Sequence, residues 1–261
     1  QIHAMTVTGE RVVTTAGGFN PAWQRHAAEY ALCAPMLGPG PVLDVGCGIG
    51  HSHELLAPRE SVGVDVDPDA LAGQARETVV ADMRRLPFQS RHFPSVLAVH
   101  SIEHVPDPDV AVREMARVLA PDGVAILVTP NRLTFARPDE IIDPYHYVEF
   151  DGTQLQALCE EAFEAVEVTG LFGSDAYSEI AADERRQLDA LLRRDPLRLR
   201  RFVPRRVRQK LYDRTLTRRR RFDDPRAAAI TVADFHLGAD PLSDAVDLVA
   251  VCRRPRSMEP R

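Results

Sequence analysis

The sequence is poor in the features that mark several protein classes. It holds four cysteines, at positions 33, 47, 159 and 252, and none falls in CxxC spacing. That excludes a CxxC zinc or redox motif. Four scattered thiols in a chain of 261 residues point instead to buried free cysteines and a reducing, cytoplasmic setting. No stretch approaches the roughly 18 consecutive apolar residues of a membrane-spanning helix. The opening residues, QIHAMTVTGER, hold no apolar run of the kind a signal peptide carries, so none is expected in them. The net charge of −6 argues against whole-surface binding to nucleic acid. Internal repeats are lacking too, which removes solenoid and propeller architectures.

What is present is ordinary in bulk and regular in pattern. The chain is 44% hydrophobic and 27% charged, as soluble globular proteins are. Its length suits one large α/β domain or two small ones. From residue 41 short apolar runs recur: PVLDVG (41–46), SVGVD (61–65), TVVAD (78–82), SVLAVH (95–100) and GVAILVT (123–129). Between them lie segments such as DVAVREMARVLA (109–120), apolar at helical spacing. The preceding PDPD provides a start signal and the following APDG a stop. Strands alternating with helices imply βαβ units and a parallel sheet. AVEVTG (165–170) and AVDLVAVCRR (245–254) add a closing pair, for seven strands. Residues 1–40 read as a loop followed by one helix near 23–37. Residues 171–243 read as a helical, arginine-rich insertion between strands six and seven.

The first strand runs into Asp44-Val45-Gly46-Cys47-Gly48-Ile49-Gly50. A glycine-rich turn between strand and helix lets a ligand approach the backbone closely. A dinucleotide fingerprint is GxGxxG/A. Here the third glycine comes one residue early and His51 follows, which argues against a pyrophosphate-bearing ligand. Asp65 closes the second strand about 20 residues on, where a carboxylate can accept from both hydroxyls of a ribose. Asp82 closes the third strand, placed to meet an adenine amino group.

VLDVGCGIGHSHELL, VGVDVDPDAL, VVADMRRLPFQSRHFPSVLAVHSIEHV and REMARVLAPDGVAILVTPN together resemble the successive motifs of class I S-adenosylmethionine-dependent methyltransferases. The resemblance covers about residues 40–172. It implies a Rossmann-like, mostly parallel seven-stranded sheet with an antiparallel last strand, and S-adenosylmethionine as cofactor. It implies that Gly46, Gly48 and Gly50 carry the methionine end, that Asp65 with Val66 holds the ribose side, and that Asp82 and Met83 contact adenine. His100 and Ser101 would line the methyl-donor pocket. Asp44 would help bind the cofactor's amino group, directly or through water.

Methyl transfer from a sulfonium needs a nucleophile on the methyl axis and the exclusion of water. A hydroxyl nucleophile also benefits from a base, for which histidine is suited. His104, in HSIEH at the carboxyl end of the fourth strand, is one candidate. The other is His146, whose segment DPYHYVEF resembles the stretch after the fifth strand in O-methyltransferases. His100-x-x-Glu103-His104 also resembles the ExxEH run of certain metal-binding O-methyltransferases, with His in place of the first Glu. By that resemblance Glu103, His104 and His146 would hold Mg²⁺ or another divalent cation.

Thr8-Gly9-Glu10-Arg11 resembles a segment near the start of methyltransferases of glycan biosynthesis, which often continue with a helix like the one bearing Trp23, His26 and Tyr30. The expected reaction is therefore O-methylation of a sugar hydroxyl in a glycan or glycoconjugate, beneath an N-terminal lid. A small-molecule hydroxyl or amine is the alternative acceptor. A non-catalytic cofactor- or RNA-binding regulator is the alternative of another class. Residues 183–226 hold sixteen arginines and one lysine against seven acids, a net of +10 in a chain of net −6. Three readings of this insertion stand side by side: a substrate lid or homodimer contact, a peripheral contact with a membrane or anionic ligand, and a nucleic-acid surface. The last is disfavoured for want of interleaved stacking aromatics.

Overall fold

The computed structural model describes residues 15, 17–135, 140–195, 198–220 and 225–256. Its strands are β1 (Val42–Val45), β2 (Ser61–Asp65), β3 (Thr78–Val80), β4 (Phe93–Val99), β5 (Leu119–Pro130), β6 (Phe163–Gly173), β7 (Phe235–Gly238) and β8 (Asp247–Pro255). The α-helices are α1 (Asn20–Cys33), α2 (Ser52–Leu56), α3 (Pro68–Leu71), α4 (Pro108–Val118), α5 (Arg132–Phe135), α6 (Gly152–Glu160), α7 (Asp175–Leu192), α8 (Arg205–Arg220) and α9 (Pro225–Ala229).

One sheet runs β3-β2-β1-β4-β5-β8-β6-β7. The first five strands pair in parallel, and β8 lies antiparallel between β5 and β6. Seven strands were expected and the described residues hold eight. The extra one, β7, is the four-residue FHLG at the sheet edge, too short to show a strand period. The 171–243 stretch also starts in strand, since β6 runs on to Gly173, and its described helices are α7, α8 and α9. The APDG stretch also differs from expectation: α4 ends at Val118 and the chain enters β5 at once.

The central strands read as apolar runs because both their faces are covered. Leu43, Val45, Val96, Ala98, Ala125 and Leu127 face one core with Val112 and Met115 of α4 and Leu155 and Cys159 of α6. Val42, Leu97, Val99, Ile126 and Val128 face the other with Tyr30, Cys33, Leu37 and Leu56. This two-residue alternation fixes the register, since a slip of one would exchange the two cores. In α4, Pro108 takes the first turn, where its missing N–H costs nothing. Asp107 stands at the N-cap position but its side chain accepts from Arg84 Nη1 instead.

The chain divides into two compact units. One takes the residues up to Ala28, Ile142–Tyr145 and Gly173–His236; the other takes Glu29–Ile141, His146–Phe172 and the residues from Leu237 on. In the first, the Asn20 amide donates to the carbonyls of Ala227 and Ile230, which ties the start of α1 to the end of α9 and the residue after it. Ser174 caps α7 and donates to Asp234, and the Tyr177 and Phe235 rings meet at 4.8 Å. The second unit holds β1–β5 and β8, whose topology puts the carboxyl ends of the parallel strands on one edge. Open α/β sheets bind ligands at that edge.

Candidate active site

At the end of β1 the chain turns through Gly46, Gly48 and Gly50, all at positive φ. A Cβ at Gly46 would stand 2.4 Å from Ser101 Cβ, and one at Gly50 would stand 2.1 Å from the Gln74 amide oxygen. Beside Gly48 the space is open, with no atom within 4 Å of where a Cβ would project. Asp65 binds the turn to the end of β2, accepting from Gly48 N at 2.8 Å and Asp67 N at 2.9 Å. Val66 next to it is 70% exposed. Ser101, against Gly46, is buried and its Oγ makes no hydrogen bond among the described residues. Asp82 lies at the mouth of the β3 edge, gripped by Arg84 in a fork whose shortest arm is 2.7 Å. Arg84 holds the Asp82 carboxyl below its usual range. Met83 follows, its methyl on the Gly46 side of the turn.

Asp44 is fully buried beneath the turn. Its carboxylate accepts from Tyr30 Oη at 3.2 Å, Ser52 Oγ at 2.6 Å and Arg76 Nη2 at 2.8 Å. Arg76 reaches it across Gly63, where a Cβ would lie 2.9 Å from Arg76 Nε. Both oxygens are engaged inward, so Asp44 supports the turn from below.

Beyond β4, His100 adopts a left-handed conformation, φ 48°. Its Nε2 lies 2.7 Å from Glu29 Oε1 and 3.8 Å from Asp247 Oδ1, and its Nδ1 lies 3.5 Å from Glu103 Oε1. All three carboxylates are fully buried. Burial alone would push the His100 imidazole down, but Glu29, Glu103 and Asp247 outweigh it and raise the group to about 10. Burial alone would push Glu103 up, but His100, with His104 and His146, draws it down to about 2. His100 is thus an imidazolium among buried carboxylates. Thr129 Oγ1 donates to Glu103 Oε2 at 3.1 Å.

His104 and His146 stand together, their rings 5.0 Å apart. His146 is held by Glu149 Oε1 at 3.0 Å from Nδ1 and by the Phe135 ring at 5.2 Å. Tyr147 N donates to Glu103 O at 2.8 Å, fastening this segment to the β4 loop. Glu103, His104 and His146 each offer a ligand atom within 4.8 Å of the others. Thr8–Arg11 lies outside the described residues. Sequence reasoning missed Glu29, Arg76, Glu149 and Asp247. Asp247 carries a legible signal, a lone acid in the apolar run AVDLVAV, and Arg76 carries none.

A family profile for the methyltransferase domain matches residues 43–127. A probable S-adenosylmethionine-dependent methyltransferase of Mycobacterium tuberculosis is 31% identical, the match covering 96% of this chain and 90% of that protein. A similar protein of Mycolicibacterium smegmatis is 30% identical, with 97% and 96% covered. Among solved structures, one from Thermotoga maritima, described as a possible histamine N-methyltransferase, shares the fold. Its TM-score is 0.58 at 16% identity, over 90% of this chain and 92% of that one. With its sheet order, its glycine turn and full-length relatives of this kind, the chain belongs to the S-adenosylmethionine-dependent methyltransferases.

Proposed function

We propose that the chain methylates a sugar hydroxyl of a glycan or glycoconjugate. The observation that carries O-methylation is the His104–His146 pair, 5.0 Å between rings, with His146 oriented by Glu149. An alcohol must lose its proton as the methyl arrives, and an oriented imidazole can take it. A hydrogen bond from Nδ1–H to Glu149 would leave Nε2 of His146 as the basic atom. His104, on the β4 loop, is the second candidate base. The sugar class rests on the resemblance of Thr8–Arg11 to glycan-biosynthesis enzymes.

The pocket's features suit the cofactor. The open space at Gly48 and the hydrogen-bond-free Ser101 Oγ leave room and a polar anchor. In this reading Gly46, Gly48 and Gly50 accommodate the methionine end, with Asp44 fixing their turn from below. Asp65 takes the ribose and Val66 offers an apolar surface beside it. Asp82 and Met83 meet the adenine, and His100 with Ser101 borders the donor side. When bound, the cofactor supplies an activated methyl on a sulfonium.

The 4.8 Å grouping of Glu103, His104 and His146 supports a second reading, a divalent cation that polarises the hydroxyl. Glu149 on His146 and Thr129 on Glu103 are the kind of outer contacts that orient metal ligands. Two imidazoles suit Zn²⁺ or Mn²⁺ better than Mg²⁺.

Labelled methyl transfer to a panel of oligosaccharides, phenols and amines tests the main reading. Transfer to an oligosaccharide hydroxyl is expected. His104→Ala or His146→Ala should lower kcat by about 10²-fold with cofactor affinity intact. Transfer only to amines or phenols would overturn the sugar assignment. Calorimetry with Mn²⁺ alone separates the two readings. Binding that is lost in His146→Ala, with turnover abolished by EDTA, would establish the metal; turnover unaffected by EDTA would leave the histidine base.

A further inference from the structure

We infer that the outward face of α8 and the short helical turn before it form a docking surface for an anionic lipid membrane. The inner side of α8 is occupied within its own unit. Arg205 donates to the carbonyls of Pro144 and Tyr145 at 2.7 and 2.8 Å, and Gln209 reaches Pro144 O. Tyr145 Oη donates to Asp213 at 2.9 Å, and its ring meets that of Tyr212 at 6.5 Å. At about 100° per residue these positions fall on one side of the helix.

The opposite arc, about 140° wide by the same geometry, carries Arg206, Lys210 and Arg214 along one flank and Val207 and Leu211 along the other. It bears no acid. Val207 is 46% exposed and Leu211 54%. In the preceding turn, Leu199–Phe202, Leu199 is 59% exposed and Phe202 84%, with Arg201 between them and Arg200 paired to Asp195 at 3.0 Å. From residue 198 to 214 the one acid is Asp213, and it is turned inward to Tyr145.

Exposed large apolar groups beside a row of cations are the signature of a helix lying in a lipid interface. The apolar side chains enter the acyl boundary and the cations meet headgroup phosphates. A surface for nucleic acid needs the cations but not Leu199, Val207 and Leu211, and it needs more than one exposed aromatic for stacking. Elsewhere the chain is acidic, net −16 outside residues 183–226. An anionic surface therefore attracts this element and repels the rest, which sets the orientation of the bound protein. The inference is independent of which acceptor the enzyme methylates.

The test is co-sedimentation of the full chain with phosphatidylcholine vesicles, with and without about a quarter phosphatidylglycerol, at two salt concentrations. Binding is expected to the anionic vesicles only and to weaken with salt. R206Q/K210Q/R214Q should reduce partitioning on the order of a hundredfold. Phe202→Ser should reduce it about tenfold. Both changes are on exposed positions, so an unchanged melting temperature certifies the fold. Equal binding to neutral vesicles, or none to either, overturns the inference. So does tighter binding to a single-stranded RNA that is insensitive to Phe202→Ser. A dimer in solution that R206Q/K210Q/R214Q converts to monomer, without vesicle binding, would reassign the face to a second copy of this chain.

Discussion

Replacing Arg76 by Met removes one half of an ion pair that is 2% and 0% exposed, Nη2 to Asp44 Oδ2 at 2.8 Å. Asp44 would keep the hydroxyls of Tyr30 and Ser52 but no cation. Leaving one member of a buried pair unpaired costs about 3–5 kcal/mol. For a chain of this size that lowers the melting temperature by roughly 6–20 °C. Because Asp44 underlies the Gly46–Gly50 turn, the cofactor site should loosen as well. Arg76→Met is expected to weaken S-adenosylhomocysteine binding more than tenfold in calorimetry. The double variant Asp44→Asn/Arg76→Met removes both charges, and its hydroxyl partners can reverse donor and acceptor roles. It should regain at least half of the lost stability. The reasoning would be refuted by a loss under about 1 kcal/mol for Arg76→Met, the level of an exposed pair. Additivity in the double variant would refute it equally, since that means no coupling between the two groups.

Four further outcomes follow from the same site. His100 is raised from 6.5 to about 10, so the folded state holds its proton where the unfolded chain has released it. That stability is full below pH 6.5 and is lost as pH climbs toward 10, so the melting temperature should fall across that window in the wild type and be flatter in His100→Asn; equal slopes would remove His100 from the balance. Glu103, lowered from 4.5 to about 2, acts at the other end, its contribution present above pH 4.5 and lost as pH falls toward 2. Gly46→Ala meets Ser101 at 2.4 Å, whereas Gly48→Ala faces only its own positive φ; calorimetry should show cofactor affinity nearly abolished in the first and reduced by about tenfold or less in the second. Glu149→Gln keeps the size of the side chain but not the charge that orients His146, so kcat should drop about tenfold with KM little changed, and an unaltered kcat would detach His146 from the chemistry.

The fold was legible because its signals are local and repeated. Each parallel strand is an apolar run, the first three lead into a glycine or a carboxylate, and the carboxyl ends share one edge. β7 escaped because four residues cannot display a period, and the start of β5 escaped because APDG has turn composition and lies at a register shift, between Leu119, which pairs with Phe93, and Val124, which pairs with Ser95. At the site, Gly46, Gly48, Gly50 and Asp65 stood out through their spacing from the strand ends. Arg76 did not, since its role depends on Gly63 opening a path over β2, a relation between residues thirteen apart on separate elements. Glu29 looked like one acid on a helix, and only the fold brings it to His100, 71 residues on.

That placement answers what His100, Glu103 and His104 do in HSIEH, because each is committed differently. His100 places one positive charge among the buried carboxylates of Glu29, Glu103 and Asp247, and the shifted proton affinities of His100 and Glu103 run in the directions that keep both charged at neutral pH. A histidine held at about 10 is a poor acceptor of a substrate proton near pH 7, since it already carries one. His104 is the member of the run left beside His146, which comes from the segment after β5 and is fastened by Tyr147 to the Glu103 carbonyl. The charged pair therefore anchors the loop, and the neighbouring histidines inherit a fixed geometry from it. If so, Glu103→Gln should reduce turnover through the position of His104 and His146, and His104→Ala should add little further loss in the Glu103→Gln background. Strictly multiplicative effects of the two changes would mean that Glu103 and His104 act independently, and would separate the anchor from the chemistry.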